Sequence, residues 1–163
     1  METGLWTFSL TFYKLPGVEK ACLRCQDEAG ADVNLILFLL WRAASGILIT
    51  EAQIGSVDAA VKDWREQIVK PLRTVRGRLK TENFASNFDE AGCFRSNIKA
   101  AELEAERLEQ QVLERWAAPP ESPPRQVSPI QATQVNIAAY AAVIGRQLPH
   151  DSVEVFLNEI QGL

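Results

Sequence analysis

Asp32-Val33-Asn34-Leu35-Ile36-Leu37-Phe38-Leu39-Leu40-Trp41-Arg42 is the stretch that decides how this chain folds. Leu35 to Trp41 is an unbroken apolar run, and Asp32 ahead of it is a natural N-cap, its carboxylate placed to accept from the free amide of Asn34 or Leu35. Ser45-Gly46 closes the segment. A helix that is apolar on every side has to be surrounded by other elements, so this one is expected at the centre of a helical bundle. It cannot cross a bilayer, because a span needs about 20 apolar residues and this run is bounded by Arg42 on one side and by Asn34 and Asp32 on the other.

Outward from that helix the signals remain helical. Towards the N-terminus, Leu5, Phe8, Phe12 and Leu15 fall at helical spacing, although Trp6 to Tyr13 also alternates as a strand would; the helical reading is preferred because every later element is helical. Pro16-Gly17 breaks the chain, and Val18, Ala21, Cys22 and Cys25 then recur at i, i+3, i+4 and i+7, giving an amphipathic helix over 17–29 ended by Gly30. Towards the C-terminus, Thr50-Glu51-Ala52-Gln53 is a capping box. It opens a helix whose expected buried stripe is Val57, Ala60, Val61, Trp64 and Ile68. Pro71 kinks or restarts that helix, and Leu72, Val75 and Leu79 are expected to continue its apolar face. A long helix is predicted over 89–116, with Ile98, Ala101, Ala105, Leu108 and Val112 as a short heptad seam against an antiparallel neighbour.

Five of the eight prolines lie in 118–129, which reads as an extended, exposed linker. Two helices follow, one from about Ile130 to Gln147 and one starting at Asp151 or Ser152, with Val153, Phe156, Leu157 and Ile160 on its apolar face. The expectation is therefore an all-α chain: a bundle of about five helices over 1–117, the proline-rich linker at 118–129, and a C-terminal helical pair over 130–163.

Composition agrees. With 47% hydrophobic residues in 163, the chain can bury a real core and is not a disordered polymer. Its net charge of −4 supplies no global field that would draw it to nucleic acid or anionic lipid. Three cysteines, at 22, 25 and 93, are an odd and small set for a disulfide-held secreted domain, and Met1 to Trp6 lacks the basic and apolar regions of a signal peptide. A reducing cytoplasm is the expected compartment.

A run of residues along the first two-thirds of the chain carries a resemblance. Trp6-x-Phe8-Ser9-x3-Tyr13-x2-Pro16-Gly17-Val18, then Ala21-Cys22-Leu23, Gln26-Asp27, Asp32-Val33-Asn34-Leu35 through Trp41, and later Trp64-Arg65 and Pro71-Leu72-Arg73-x2-Arg76, resemble a family of small proteobacterial proteins of unknown function. The match extends over roughly residues 5–115. It implies a bacterial cytoplasmic protein and no mechanism.

The chemistry-bearing residues fall into two sets. Gln26, Asp27, Asp32 and Asn34 border the central helix, with Trp6, Tyr13, Trp41 and Arg42 as expected neighbours; two carboxylates and two amides at a bundle end could floor a pocket for a cation or a polar ligand. Capping by Asp32 and pairing of Asp27 with Arg42 would explain the same residues structurally. The second set is basic: seven cations against two acids between Lys62 and Lys80, with Lys70, Arg73, Arg76 and Lys80 on roughly one helix face. That stripe can meet an acidic protein partner, or it can pack against the eight acids of residues 82–116 and neutralise itself. Nucleic acid is disfavoured, since no aromatic interleaving accompanies the stripe.

Catalytic signals are sparse. Cys22-Leu23-Arg24-Cys25 falls inside a helix rather than at the N-terminus that would activate a thiolate, so both thiols read as core. Zinc needs four ligands, and the chain offers three Cys and the single distant His150. No nucleophile elbow, phosphate loop or zinc-protease motif is present. Pro120-x-x-Pro123-Pro124-Arg125 fits a polyproline-ligand pattern but reads as linker. The sequence thus implies no catalytic residue, no cofactor and no metal, and leans away from an enzyme. A non-catalytic adaptor with an unidentified protein partner is the first expectation, and a small-molecule-binding protein or atypical enzyme with a polar-floored pocket is the alternative.

Overall fold

A computed structural model describes residues 4–81, 88, 90–116 and 127–162, and every regular element among them is helical. The order is α1 (Leu5–Phe12), α2 (Val18–Ala29), α3 (Val33–Ala44), α4 (Glu51–Trp64), a π-helical turn (Arg65–Val69), α5 (Lys70–Thr81), α6 (Ala91–Arg115), α7 (Pro129–Ile144) and α8 (His150–Gln161). Since α4, the π turn and α5 form one continuous rod, the described residues form five helical rods followed by a pair, as the periodicity predicts. Most of the proline-rich linker, with its polyproline-ligand pattern, lies outside the described residues. No described helix is long and apolar enough to cross a membrane.

Local chemistry sets the helix ends. Asp32 caps α3 by accepting from the Asn34 amide at 2.9 Å, and Thr50 with Gln53 completes the capping box of α4. Helix α3 is the hub: Leu35 to Trp41 are all buried, and α1, α2, α6, α7 and α8 pack around them. Phe38 meets the Trp116 ring edge-on. Burying seven large side chains on one helix, at about 1.5–3 kcal/mol each, is the main apolar drive for assembly.

The C-terminal pair belongs to this same core, into which Ile137, Tyr140, Leu148, Phe156 and Ile160 are packed. Asn136 of α7, fully buried, stitches the α3–α4 loop: its Oδ1 accepts from the Ile49 amide at 2.8 Å, and its Nδ2 donates to the Ile47 carbonyl at 3.0 Å. Gly46, in the left-handed region at φ +70°, lets the Val127 backbone cross so closely that a Cβ would strike the Val127 carbonyl.

Two expected apolar faces are corrected. Along the α4–α5 rod the buried positions are Ile54, Val57, Val61 and Val69, while Ala60 is exposed and Trp64 and Ile68 keep 38% and 37% of their surface exposed. The cause is the π turn, whose extra residue moves the apolar face from Ile68 to Val69. It ends two residues before Pro71, whose ring would collide with the carbonyl four residues back, that of Gln67 within the turn, in a regular helix. Beyond it, α5 buries none of its residues, so Leu72, Val75 and Leu79 do not continue a core face. On α6 the buried face is Glu102, Ala105, Glu109, Gln110 and Leu113. Of the predicted seam only Ala105 is buried; Leu108 and Val112 point outward because acids on the neighbouring face are drawn inward by arginines of the rod.

The Asn136 stitch makes a direct prediction. Asn136→Ala leaves the Ile49 amide and Ile47 carbonyl unpaired, at about 1–3 kcal/mol per orphaned group. Urea unfolding should show a loss of at least about 2 kcal/mol, against no measurable change for Val135→Ala on the exposed face; equal behaviour of the two variants would refute the stitch.

Candidate functional site

At the α2–α3 end of the bundle, a cleft of about 200 Å³ opens between that turn, the π turn, α6 and α7. Gln26, Gly30, Ala31 and Asp32 form one wall; Asp58, Arg65, Glu66, Val69, Lys70 and Arg73 form the opposite one. Glu109 of α6 and Tyr140 and Ile144 of α7 complete it.

Its floor is an ion network. The π turn begins at Arg65 and turns this side chain inward, so that Nη1 donates to Asp32 Oδ2 and to Asp58 Oδ1, each at 2.7 Å. Arg65 and Asp32 side chains are only 12% and 8% exposed, which makes this a buried bridge rather than a surface pair. Burial works against the Arg65 charge, but the two aspartates outweigh it and hold the guanidinium above its ordinary value. The Asp32 amide in turn donates to Tyr140 Oη at 2.8 Å, locking α7 against the turn.

Below Asp32 the network becomes amide and acid. Asn34 Nδ2 donates to Glu109 Oε2 at 3.1 Å, and Gln110 Nε2 donates to Asn34 Oδ1 at 2.9 Å, all three residues being buried. Glu109 Oε1 has no donor facing it and lies against the Asp32 carboxylate. Burial first, and the Asp32 charge second, push the Glu109 carboxyl up to about 9. At neutral pH it is therefore an acid that can donate to Asp32. An acid and a carboxylate held apart in this way are what proton-transfer sites also use.

A second cluster flanks the cleft. Arg73 uses three nitrogens: Nε to Glu102 at 3.1 Å, Nη1 to Gln26 Oε1 at 2.7 Å and Nη2 to Glu106 at 2.8 Å. Arg76 also donates to Glu102. Burial raises the Glu106 carboxyl above its ordinary value despite Arg73. At the mouth, Lys70 holds Glu66 at 2.7 Å and keeps its carboxyl below the usual range.

The residues singled out from the sequence distribute unevenly. Gln26 and Asp32 line the cleft and Asn34 lies buried beneath Asp32, whereas Asp27 is exposed and forms no ion pair with Arg42, which lies over the Trp41 ring at 5.6 Å. Trp41 is in the core against Phe38, and neither it nor Trp6 lines the cleft. Tyr13 stands close enough to Arg73 and Glu106 to feel both charges. From the basic stripe, Lys70 and Arg73 reach the cleft, Arg76 pairs with α6, and Lys80 is exposed further along α5. The two candidate sets thus meet at one place. Asp58, Glu109 and Tyr140 belong to neither candidate set, and Arg65 enters them only as one of the seven cations of the basic stretch. The one sequence signal for Glu109 is that Glu102, Glu106 and Glu109 share a face with Ala105 and Leu113. Cys22 and Cys25 are core thiols that burial pushes up to about 12 and about 11, far from a reactive thiolate.

The acid at Glu109 has a measurable consequence. In the unfolded chain it ionises from about pH 4.3, whereas in the fold it stays protonated to about 9. Its folded value is raised, so its contribution is present at low pH and is lost as pH rises through that window. Glu109→Gln keeps the shape without the ionisation. Relative to this variant the parent should lose up to about 1.4 kcal/mol per pH unit between about pH 5 and 8, read from urea melts; parallel pH profiles would contradict the assignment.

Neither a curated protein nor a solved structure matches the chain. One family model does, over residues 4–113, and its description is a protein of unknown function (DUF2390). That span takes in Gln26, Asp32, Arg65, Arg73 and Glu109 but not Tyr140 or Ile144 of α7. The chain belongs to the DUF2390 family.

Proposed function

We propose that the chain binds a small polar molecule in the cleft between the α2–α3 turn, the π turn, α6 and α7. The observation that carries this reading is the set of buried charged and polar groups gathered from separate elements around an open space of about 200 Å³. A bundle needs no such arrangement for stability, because well-packed apolar residues would serve as well as a buried ion pair. The volume lies below the roughly 300–1,000 Å³ of sites for drug-sized ligands, so a small metabolite is the appropriate size.

Gln26, whose Oε1 accepts from Arg73, keeps its amide hydrogens for a ligand, and the Tyr140 hydroxyl, which accepts from Asp32, keeps its proton. Thermal shift of the full chain against a broad panel of polar metabolites tests this reading. At least one should raise the melting temperature, and Asp58→Asn, which alters a rim carboxylate without changing its shape, should weaken the effect. A panel without a single shift, or shifts untouched by Asp58→Asn, would remove the cleft from consideration.

A partner-binding role is the second reading, favoured by α5: it buries none of its residues and presents Arg78 one turn on from the exposed Val75, with Lys80 exposed near the end of the helix. An acidic amphipathic helix is the partner such a face would take. Arg73 and Arg76 belong to internal pairs, so charge reversal at Arg78 and Lys80 is the informative change. Co-purification of an acidic protein that is lost on this reversal, and retained in Asp58→Asn, would support partner binding; retention in both would sink it.

A further inference from the structure

Resting on the cleft as a ligand site, we infer that its ligand carries a positive charge, an ammonium group seated among Asp32, Asp58 and Glu109. Two independent observations point there. The first is charge balance. Six carboxyls (Asp32, Asp58, Glu66, Glu102, Glu106, Glu109), of which Glu109 holds its proton at neutral pH, meet four cations (Arg65, Lys70, Arg73, Arg76) in and beside the cleft, leaving the cluster one positive charge short. The shortage is local: Arg73 and Arg76 are matched by Glu102 and Glu106, and Lys70 by Glu66, so Asp32, Asp58 and Glu109 have only Arg65 among them.

The second observation is an unsatisfied atom. Glu109 is 1% exposed and lines the cleft, yet its Oε1 meets no donor. With Glu109 protonated, that oxygen's need is met through the proton it shares with Asp32; once the proton leaves, it requires a donor from elsewhere. An ammonium group brings three donors and one charge, enough to bridge Glu109, Asp32 and Asp58 together. A carboxylate or phosphate would instead add a charge to a cluster already in excess of acid.

A proton moves as the cation arrives. The groups facing Glu109 are Asp32 at the head of α3, Arg65 of the π turn and Asn34 within α3. Without ligand, the Glu109 proton relieves its contact with Asp32; an incoming ammonium replaces that proton, which leaves to solvent. Binding of a monocation should therefore release close to one proton.

Titration calorimetry of the full chain at pH 7, in two buffers of different ionisation enthalpy, reads affinity and proton release together. The probes are butylamine, 1,4-diaminobutane, 1,4-butanediol and succinate. The amines are expected to bind at least tenfold more tightly than the diol or the diacid, with proton release. Glu109→Gln, an isosteric change that keeps the fold, should weaken the amines about tenfold and abolish the release, and Asp58→Asn should weaken them without abolishing it. Tighter binding of succinate or butanediol than of the amines would overturn the cation assignment while leaving the ligand site in place. Absence of amine binding overturns it as well, and the broad metabolite panel then separates the two ideas: a hit there keeps the site, and no hit removes both.

Discussion

The carboxylate of Asp32 ties several elements of this molecule together at one point. It caps α3, pairs with Arg65 across the cleft and lies against Glu109 of α6, while the amide of the same residue reaches Tyr140 of α7. Four helical rods are thus registered at one residue. The apolar helix that follows supplies the free energy of assembly, but apolar packing is nearly indifferent to small slides and rotations. The directed bonds at Asp32 fix which arrangement is adopted, a role for buried polar groups that apolar contacts do not fill well.

The π turn is the second determinant. A regular helix through Arg65 would keep the spacing begun at Val57 and Val61, and Ile68 would face the core. With one more residue in the turn, Val69 faces the core and Arg65 is delivered to Asp32 and Asp58. Pro71 explains why the distortion lies here, since the widened turn moves the carbonyl its ring would meet. An irregularity of this kind beside a cleft is a common association in helical proteins.

Much of the fold was legible in the chain because its signals are local. Asp32, Gly30 and the Thr50–Gln53 box mark helix ends through bonds made within a few residues, and Leu35 to Trp41 announces its burial by composition alone. The α6 face was misread for a different reason. Hydrophobic spacing favours Ile98, Leu108 and Val112, but the acids at 102, 106 and 109 gain partners only through Arg73, Arg76 and Asn34, none of them on α6. Nothing local signals that a glutamate will face inward. The same applies to Arg65, whose orientation depends on the π turn, and to Tyr140, which meets Asp32 across 108 positions of sequence. Of the thirteen residues that line the cleft, Gln26, Asp32, Lys70 and Arg73 were visible as candidates; Arg65, Asp58 and Glu109, which set its electrostatics with Asp32, were not.

Helix α7 roofs the cleft with Tyr140 and Ile144, yet these residues lie beyond the span that defines the family. The cleft is therefore assembled from two parts under different constraint. The floor is tied into the packing of α3, α4 and α6 and can vary little without cost to the bundle. The roof is held by Tyr140, Asn136 and apolar packing, and its cleft-facing positions can change while those anchors persist. On the ligand-binding reading proposed above, relatives sharing the floor but differing in α7 would keep the same electrostatic preference and diverge in the size and shape of what they admit, so that selectivity could drift independently of the chemistry beneath it.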